Sequence, residues 1–344
     1  MKHNNFNFLR FYFALIVVIG HLIEISNINT LQKFAPYFNT YISVTAFFCI
    51  SGFLISLSYI NTPNLKDYFK KRAARLLPAY LFIILTCAIF LSLLSKYSFS
   101  EYFTHPMFLK YLAANLSFLN FLQPCLPGVF VHDATSCSVN SALWTLKIEV
   151  SFYLFIPVII YFTRKAKVKY ILFIGIYLFS VLYRNIFEYI SILSGIEYYN
   201  IIARQLPGFM SYFVSCIALC FYYEFFIQKK KILLLFSIIS FFIERYFGVE
   251  ILTPVALSII VFYFAFSFKR LNNFAKHGDI SYGIYIFHFP IMKIASELGF
   301  FEKFNPFIVS AILIVIILIF GFLSWHLIEK QFLKISHSSR IYGR

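Results

Sequence analysis

The residues with the clearest chemical potential in this sequence are ionisable side chains that lie inside long apolar runs. His21 follows Arg10 by 11 residues, and at about 100° per residue this spacing returns both side chains to within about 20° of one helix face. They would lie roughly 16 Å apart along the helix axis. Glu24, three residues after His21, is placed to orient or charge the imidazole. Inside hydrocarbon such a group costs at least roughly 2.5–3.5 kcal/mol, so it persists mainly where it faces a polar interior or has a function.

A second set of polar residues lies in the segment SALWTLKIEVSFYLFIP. Thr145, Glu149 and Tyr153 recur at intervals of four, and this interval places all three on one face of a helix. A lone carboxylate on such a face needs a partner. The segment therefore predicts a polar stripe that faces the interior of the protein.

A third stripe lies in the segment GDISYGIYIFHFPI, where Ser281, Tyr285 and His288 follow a four-plus-three spacing. One face of the predicted helix is again polar. The sequence also predicts that the helix breaks at Pro290, because proline removes a backbone donor and clashes with the preceding turn. The segment therefore predicts a second inward-facing polar stripe.

The segment KKRAARLLP carries a cluster of positive charge. Arg72 and Arg75 are three residues apart before Pro78, and two guanidiniums held one turn apart form a fork suited to phosphate. Paired arginines at a membrane edge are also ordinary topology signals, and a single intramembrane histidine or carboxylate is often structural. In combination, the stripes and the fork describe a path from a cytosolic anionic cofactor to an outward-facing base. Group transfer across a membrane needs that layout.

Positioning these residues requires an integral membrane protein of the all-α class. The 344 residues are 60% hydrophobic and only 13% charged, which excludes an ordinary soluble domain. We predict a polytopic bundle of about ten transmembrane helices, each of about 20 apolar residues. The predicted spans are 8–26, 41–60, 77–96, 144–163, 170–187, 200–222, 232–247, 250–268, 279–297 and 306–327.

Basic residues orient the predicted spans, because Lys and Arg accumulate in short cytoplasmic loops. With both termini in the cytoplasm, 21 of the 30 basic residues fall on the cytoplasmic side. The formal net charge of +16 follows from this orientation and from contact with anionic membrane lipid. The charge therefore gives no reason to expect a nucleic-acid partner. Four further basic residues lie close enough to span ends to extend to the interface, so the sequence assigns them no other role: Lys147, Arg184, Arg204 and Lys293.

One long loop, about 97–142, is predicted to be external and to form a compact cap. It contains Cys125 and Cys137, which can form a disulfide if that compartment is oxidising. The six cysteines show no metal-ligand spacing, so we predict no metal site, and the sequence shows no internal repeat. We assign residues 1–330 to the helix bundle and residues 331–344 to a cytoplasmic tail.

Five segments of the chain follow one another as the motifs of a known family do. They are FLRFYFALIVVIGH, FFCISGFLIS, KRAARLLP, LWTLKIEVSFYLFIP and SYGIYIFHFPI. In this order they resemble the membrane acyltransferase family 3, whose members O-acylate bacterial surface polysaccharides, lipopolysaccharide and peptidoglycan. The similarity runs from Phe8 to about Lys330. Two departures are Thr145 in place of the usual serine, and IEKQ at Ile328–Gln331 in place of Ile-Glu-Lys-Pro, so the last helix is expected to end differently.

The resemblance implies O-acyl transfer from cytosolic acyl-CoA, with acetyl-CoA as the expected donor, to a hydroxyl of a cell-surface polysaccharide such as O-antigen, capsule or exopolysaccharide. It implies a multi-pass protein of the bacterial inner membrane, whose partners are acyl-CoA, membrane lipid and a surface glycan or lipid-linked oligosaccharide. His21 would act as general base or transient acyl carrier, with Glu149 as a second catalytic candidate. The donor-binding candidates are Arg10, Arg72 and Arg75. The pocket candidates are Glu24, Tyr153, Ser281, Tyr285 and His288.

Two other classes of membrane protein remain open from the sequence. A transporter or polysaccharide flippase also has about ten to twelve spans and buried ionisable residues. It would be expected to show paired repeats or interrupted helices in corresponding halves, and the sequence shows neither. A polysaccharide polymerase would share the long outer loop, but it has no use for a cytoplasmic phosphate fork.

Overall fold

The computed structural model describes residues 4–62, 64–131, 136–165, 169–248, 250–274, 276 and 278–338. Among these residues helices are the regular secondary structure, accompanied by an isolated β-bridge between Cys125 and Ser138. The predicted all-α class is confirmed. Two of the basic residues counted on the cytoplasmic side, Lys2 and Lys167, lie outside the described residues, as do residues 339–344 of the predicted tail.

The helices follow one another with mostly short connections. In chain order they are α1 (Phe6–Ser26), α2 (Asn29–Gln32), α3 (Thr40–Ile60), α4 (Leu65–Phe90), α5 (Phe99–Thr104), α6 (Pro106–Leu116), α7 (Trp144–Lys165), α8 (Lys169–Ser194), α9 (Glu197–Ala203), α10 (Leu206–Phe221), α11 (Tyr223–Phe247), α12 (Thr253–Ser267), α13 (Ser281–Glu297), α14 (Phe300–Lys303), α15 (Pro306–Leu323) and α16 (Lys330–Ser338). A π-helical turn, Ser324–Glu329, joins α15 to α16. The chain stays helical past position 331, because Gln331 keeps the backbone donor that a proline there would remove.

Seven segments of the described chain are long and apolar enough to cross a membrane. They coincide with seven of the ten predicted spans, and the multi-pass membrane bundle is confirmed. The other three predicted spans fall on α11, α12 and α13. With 15 and 17 residues, α12 and α13 are roughly 22 and 26 Å long, short of the roughly 30 Å of hydrocarbon. The total number of crossings and the cytoplasmic placement of both termini stay predictions.

The chain divides into two compact units, to both of which α1, α3, α4 and α7 contribute. In the first unit α8 packs against α9 and α10, and α12 packs against α10 and α11. In the second unit α13 packs against α14 and α15. The first unit comprises Met1–Arg10, Val44–Tyr68 and Ile148–Ala275, and the second comprises Phe11–Ser43, Phe69–Lys147 and Lys276–Arg344.

A buried arginine organises one part of the first unit. Arg184 is fully buried, and it donates to the backbone carbonyls of Glu250 and Gly208 at 2.5 and 3.3 Å. The Glu250 carboxylate lies 3.4 Å from the Arg184 Nε and accepts from the Tyr212 hydroxyl at 3.1 Å. The prediction that Arg184 extends to the interface is wrong. Oxygen atoms of the protein replace the water that a buried guanidinium would otherwise need.

Small residues bring the helices of the second unit close together. A Cβ on Gly283 of α13 would lie 2.9 Å from the Gly321 Cα of α15, and a Cβ on Gly321 would lie 2.6 Å from the Ile284 Cγ1. Contacts this short cannot accommodate a methyl group, so glycine is required at both positions. Close approach at small residues is the usual way in which membrane helices associate. The close contact at Gly283 and Gly321 sets the position of α13 against α15, and α13 carries one of the polar stripes.

The helix α13 does not break at Pro290, contrary to the prediction from sequence. It runs from Ser281 to Glu297. Proline at position 290 has no backbone N–H, so the carbonyl of Ile286, four residues earlier, loses its usual helical donor. The side-chain amide of Asn140 donates to that carbonyl at 2.8 Å. Asn140 thus satisfies the group that proline leaves without a donor and ties the end of the outer loop to α13.

The role of Asn140 as donor to the Ile286 carbonyl can be tested by a double-mutant cycle. We expect Asn140→Leu to lower the free energy of unfolding by about 1–3 kcal/mol, because it leaves a buried carbonyl without a donor. In a Pro290→Ala background, the backbone of the new alanine supplies the missing N–H, and Asn140→Leu should cost much less. Thermal unfolding of the four purified proteins in detergent measures both effects. Equal losses in the two backgrounds would contradict the assignment.

The outer loop is held together by covalent and polar contacts. Cys125 and Cys137 form a disulfide with a Cα–Cα distance of 5.3 Å. The sequence had left open whether these two cysteines are paired. Lys293 of α13 is fully buried, donates to the Ser136 carbonyl and has its Nζ 5.2 Å from the centroid of the Phe130 ring. The prediction that Lys293 extends to the interface is wrong, since it anchors this loop.

Candidate active site

Two histidines from distant parts of the sequence meet in the second unit. The Nδ1 of His21 on α1 lies 2.8 Å from the Nε2 of His288 on α13. The two rings are nearly coplanar, with an interplanar angle of 5° and centroids 5.1 Å apart. The Nδ1 of His288 lies 2.6 Å from the backbone carbonyl of Tyr285. The sequence predicted both histidines as site residues but did not predict their contact.

The two imidazoles differ in their access to solvent. His288 is fully buried, whereas His21 is partly exposed. His21 is therefore the member of the pair that is more accessible to a substrate. Gly20, next to His21, allows this part of α1 to approach the chain at 38–40, since a Cβ at Gly20 would lie 2.5 Å from the Thr40 Cγ2.

The third predicted stripe contributes hydroxyl groups near the histidine pair. The Tyr285 hydroxyl lies 2.8 Å from the Thr145 Oγ1, and both hydroxyls lie within hydrogen-bonding distance of the Ala142 carbonyl, at 3.2 and 3.1 Å. Tyr285 thus contacts the start of α7 through its side chain and His288 through its backbone. The network explains why a threonine can replace the family's serine at position 145: the hydroxyl is retained.

Arg75 of the predicted phosphate fork is held by two carboxylates. Its Nη2 lies 2.7 Å from the Asp279 Oδ2 and its Nη1 lies 3.2 Å from the Glu329 Oε2. The Glu329 side chain is fully buried, and it also accepts from the Ser324 hydroxyl at 3.0 Å. Asp279 in turn accepts from the backbone N–H and the hydroxyl of Ser281. Ser281, predicted to line a pocket, therefore lies at the start of α13 beside this ion-pair cluster.

The shape of the last membrane helix places Glu329 in that cluster. The π-helical turn Ser324–Glu329 widens the helix locally, a feature often found at functional sites. It also brings Trp325 against the arginine, with the guanidinium carbon of Arg75 5.5 Å from the indole centroid. Gly278, with φ +130°, is required here because its Cβ would lie 1.8 Å from the indole nitrogen.

The sequence patterns did not predict three residues that form the site: Asp279, Glu329 and Asn140. Two of them carried a local signal. Asp279 lies two residues before Ser281 of the Ser-Tyr block, and Glu329 belongs to the IEKQ segment, which differs from Ile-Glu-Lys-Pro only at its last residue. Asn140 carried no such signal, because it lies in a loop without a transferable pattern. In each case the partner lies more than 140 residues away in the chain.

The remaining predicted residues are distributed between the units. Glu24 is exposed, and among the described residues it forms no hydrogen bond with His21. In the first unit, the Glu149 carboxylate accepts from the Tyr153 hydroxyl at 2.6 Å, which supplies the partner that the sequence required. Arg10 belongs to the first unit, and Arg72 lies one turn before Arg75 on α4. Among the described residues, no group of three or more His, Cys, Asp or Glu side chains could hold a metal ion.

Comparison with known proteins identifies the kind of enzyme to which this site belongs. The family described as an acyltransferase domain matches residues 3–326, nearly the whole chain. The chain belongs to the membrane acyltransferase family 3. This acyltransferase is 26% identical over 343 residues to the O-acetyl transferase of Shigella phage Sf6, with 96% of each chain covered. It is 25% identical over 370 residues to nodulation protein 10 of Rhizobium leguminosarum bv. viciae, with 97% of this chain and 94% of that protein covered. No solved structure matches the chain.

The family and the enzyme class predicted from the motifs are thus confirmed. The acyltransferase places a partly exposed imidazole, His21, against a buried one, His288. It also holds Arg75 in a fixed orientation between two carboxylates. An imidazole is suited to accept a proton from an attacking hydroxyl. A guanidinium is suited to contact phosphate or carboxylate.

Proposed function

We propose that this acyltransferase is an O-acetyltransferase that moves an acetyl group from acetyl-CoA, or an acyl group from a related acyl-CoA, to a hydroxyl of a surface polysaccharide. The observation that carries the proposal is the His21–His288 pair in a chain that matches a phage O-acetyl transferase over 96% of its length. The acceptor is a surface glycan such as O-antigen, capsule or exopolysaccharide, or its lipid-linked precursor.

The transfer requires one proton acceptor and one activated acyl group. His21 takes the proton of the acceptor hydroxyl while the hydroxyl oxygen attacks the thioester carbonyl carbon. The C–S bond then breaks, an ester forms on the sugar, and the coenzyme A sulfur leaves with the proton that His21 had accepted. The imidazole thus returns to its neutral form, and no atom changes its oxidation state in the step. The alternative role for His21, as a transient acyl carrier, uses the same neutral nitrogen as nucleophile.

In the second unit, Arg72 and Arg75 would hold the donor through the phosphates of coenzyme A. Arg10, in the first unit, stays a donor-binding candidate implied by the resemblance. Asp279 and Glu329 orient Arg75, but two carboxylates also repel a phosphate. This favours Arg72 as the stronger phosphate contact of the fork. In the second unit, Glu24 and Tyr285 would line the pocket for the acyl group or the acceptor. Glu149 and Tyr153, in the first unit, stay candidates implied by the resemblance.

The proposed compartment is the bacterial inner membrane, with both termini and the arginine fork facing the cytoplasm. The distribution of basic residues supports this orientation. So does the disulfide between Cys125 and Cys137, because disulfides persist in oxidising compartments outside the cytosol. The acceptor hydroxyl would then be presented at the outer face and the acyl-CoA at the inner face.

Replacing Arg72 tests the donor assignment. We expect Arg72→Ala to weaken acetyl-CoA binding by about 10- to 100-fold, the worth of one or two hydrogen bonds to a charged group. Binding of the acceptor glycan should change little. Arg72→Lys should restore only part of the affinity, because an ammonium group cannot bind phosphate in a bidentate way. Titration of the purified variants with acetyl-CoA measures the effect, and unchanged donor affinity would return Arg72 to a topology role.

The function itself is tested by the composition of the surface glycan. We expect a strain that lacks the gene to lose O-acetyl groups from its glycan, and the wild-type gene to restore them. Isolated membranes supplied with labelled acetyl-CoA should then transfer the label to glycan from the deletion strain. Shortened chains with normal acetyl content would instead indicate a polymerase, and glycan retained inside the cell would indicate a flippase.

A further inference from the structure

The protons of the histidine pair can be assigned from its hydrogen bonds. A backbone carbonyl only accepts, so the nitrogen of His288 that faces the Tyr285 carbonyl, Nδ1, must carry a proton. A neutral imidazole carries one N–H, and the Nε2 of His288 is then an acceptor. The group that donates to it is the Nδ1–H of His21. The Nε2 of His21 is left as the nitrogen with the available lone pair.

The alternative assignment would disable the pair. If His288 were an imidazolium, its Nε2 would donate to the Nδ1 of His21, and the proton of His21 would have to move to Nε2. That nitrogen could not then accept a proton from a hydroxyl. The burial of His288 disfavours this state, because a fully buried cation loses its hydration, and its partners here are a neutral ring and backbone carbonyls without a compensating negative charge.

We propose that His288 is a positioning residue that holds His21 in the Nδ1–H tautomer and so makes Nε2 the basic nitrogen. The inference rests on the proposed function and adds to it the atom that reacts. His288 is fully buried and acts through His21, which is partly exposed. When the Nε2 of His21 accepts the hydroxyl proton, its Nδ1–H continues to donate to His288. That bond becomes charge-assisted and therefore stronger at the moment when positive charge develops.

The backbone around His288 supports this role. The position of the His288 ring is set by its bond to Tyr285, one turn earlier on the same helix. The Tyr285 hydroxyl is itself bound to Thr145 at 2.8 Å. Asn140 holds the next carbonyl, that of Ile286. An acceptor fixed from several directions can select one tautomer of its partner, which is how an orienting group acts in other histidine-based sites.

Side chains that keep or remove the acceptor test the proposal. Glutamine at position 288 places an oxygen close to where Nε2 lies, whereas leucine provides no acceptor. We expect His288→Leu to lower kcat by roughly 10²- to 10³-fold, with the KM values for acetyl-CoA and for glycan from the deletion strain unchanged. His288→Gln should keep kcat within about tenfold of the wild-type value, because it restores the acceptor. In a His21→Ala background, His288→Leu should cause no further loss, because its effect passes through His21.

Three results would overturn the assignment. One is a kcat of His288→Gln as low as that of His288→Leu when both proteins bind acetyl-CoA like the wild type. Another is a loss that appears only in KM. The third is a further loss on adding His288→Leu to His21→Ala. Failure of the proposed function looks different, because the wild-type protein would then transfer no acetyl group in the same assay.

Discussion

Replacing His21 by alanine should abolish O-acylation of the surface glycan while the protein remains in the membrane in wild-type amount. The change removes the one imidazole of the pair that is partly exposed. Loss of a general base typically lowers the rate by about 10²- to 10⁴-fold. The neighbouring groups are poorly placed to replace it: His288 is fully buried, and Glu24 is exposed and, among the described residues, forms no hydrogen bond with His21. The O-acetyl content of the glycan and the amount of protein in the membrane are the two measurements.

A second histidine provides the control for this experiment. His326 binds the Phe322 carbonyl of its own helix at 2.9 Å and has no contact with the pair among the described residues. His326→Ala should therefore keep acylation near the wild-type level. Normal acylation by membrane-inserted His21→Ala would remove His21 from the mechanism. The inference that His288 sets the tautomer of His21 would be lost with it, whereas the family membership would be unaffected.

Replacing Arg75 by methionine should strongly destabilise the protein. The Glu329 side chain is fully buried and the Asp279 side chain is 11% exposed, and Arg75 forms an ion pair with each of them. Removing one partner of a buried ion pair typically costs about 3–5 kcal/mol, because it leaves a buried charge without compensation. We expect a lower thermal unfolding temperature in detergent and less protein in the membrane. Activity should fall at least as far as the amount of folded protein, because Arg75 is also a candidate donor contact.

The double variant Arg75→Met with Glu329→Gln is the matched control. It removes the buried carboxylate that the single variant leaves uncompensated, so it should recover much of the lost stability. Arg75→Lys, which keeps the charge but not the two-pronged geometry, should be intermediate. Equal stability of Arg75→Met and the wild type, or no recovery in the double variant, would show that the cluster contributes little. Because Arg75 affects folding in this way, Arg72 is the better residue for measuring donor affinity.

The alternation of apolar runs and basic loops predicted the membrane bundle and most of its helices correctly. The three polar stripes were also identified from helical spacing, and two of them, on α1 and α13, supply the histidine pair. The break at Pro290 was predicted wrongly, because the rule for proline considers the backbone alone. It does not anticipate that Asn140 supplies the missing donor to Ile286. Arg184 and Lys293 were misplaced for a related reason: nearness to a span end is local, whereas burial depends on the surrounding helices.

The sequence by itself determined the class of the protein, its helical segments, its polar faces and its family, because hydropathy and helical periodicity are properties of neighbouring residues. Only the tertiary structure decided which faces meet. His21 and His288 are 267 residues apart in the chain, and Arg75 is separated from Asp279 and Glu329 by 204 and 254 residues. Helical spacing states where a side chain points on its own helix but not what lies opposite. That partner is set by packing, here by the close approach at Gly283 and Gly321 and by the widened turn that carries Glu329.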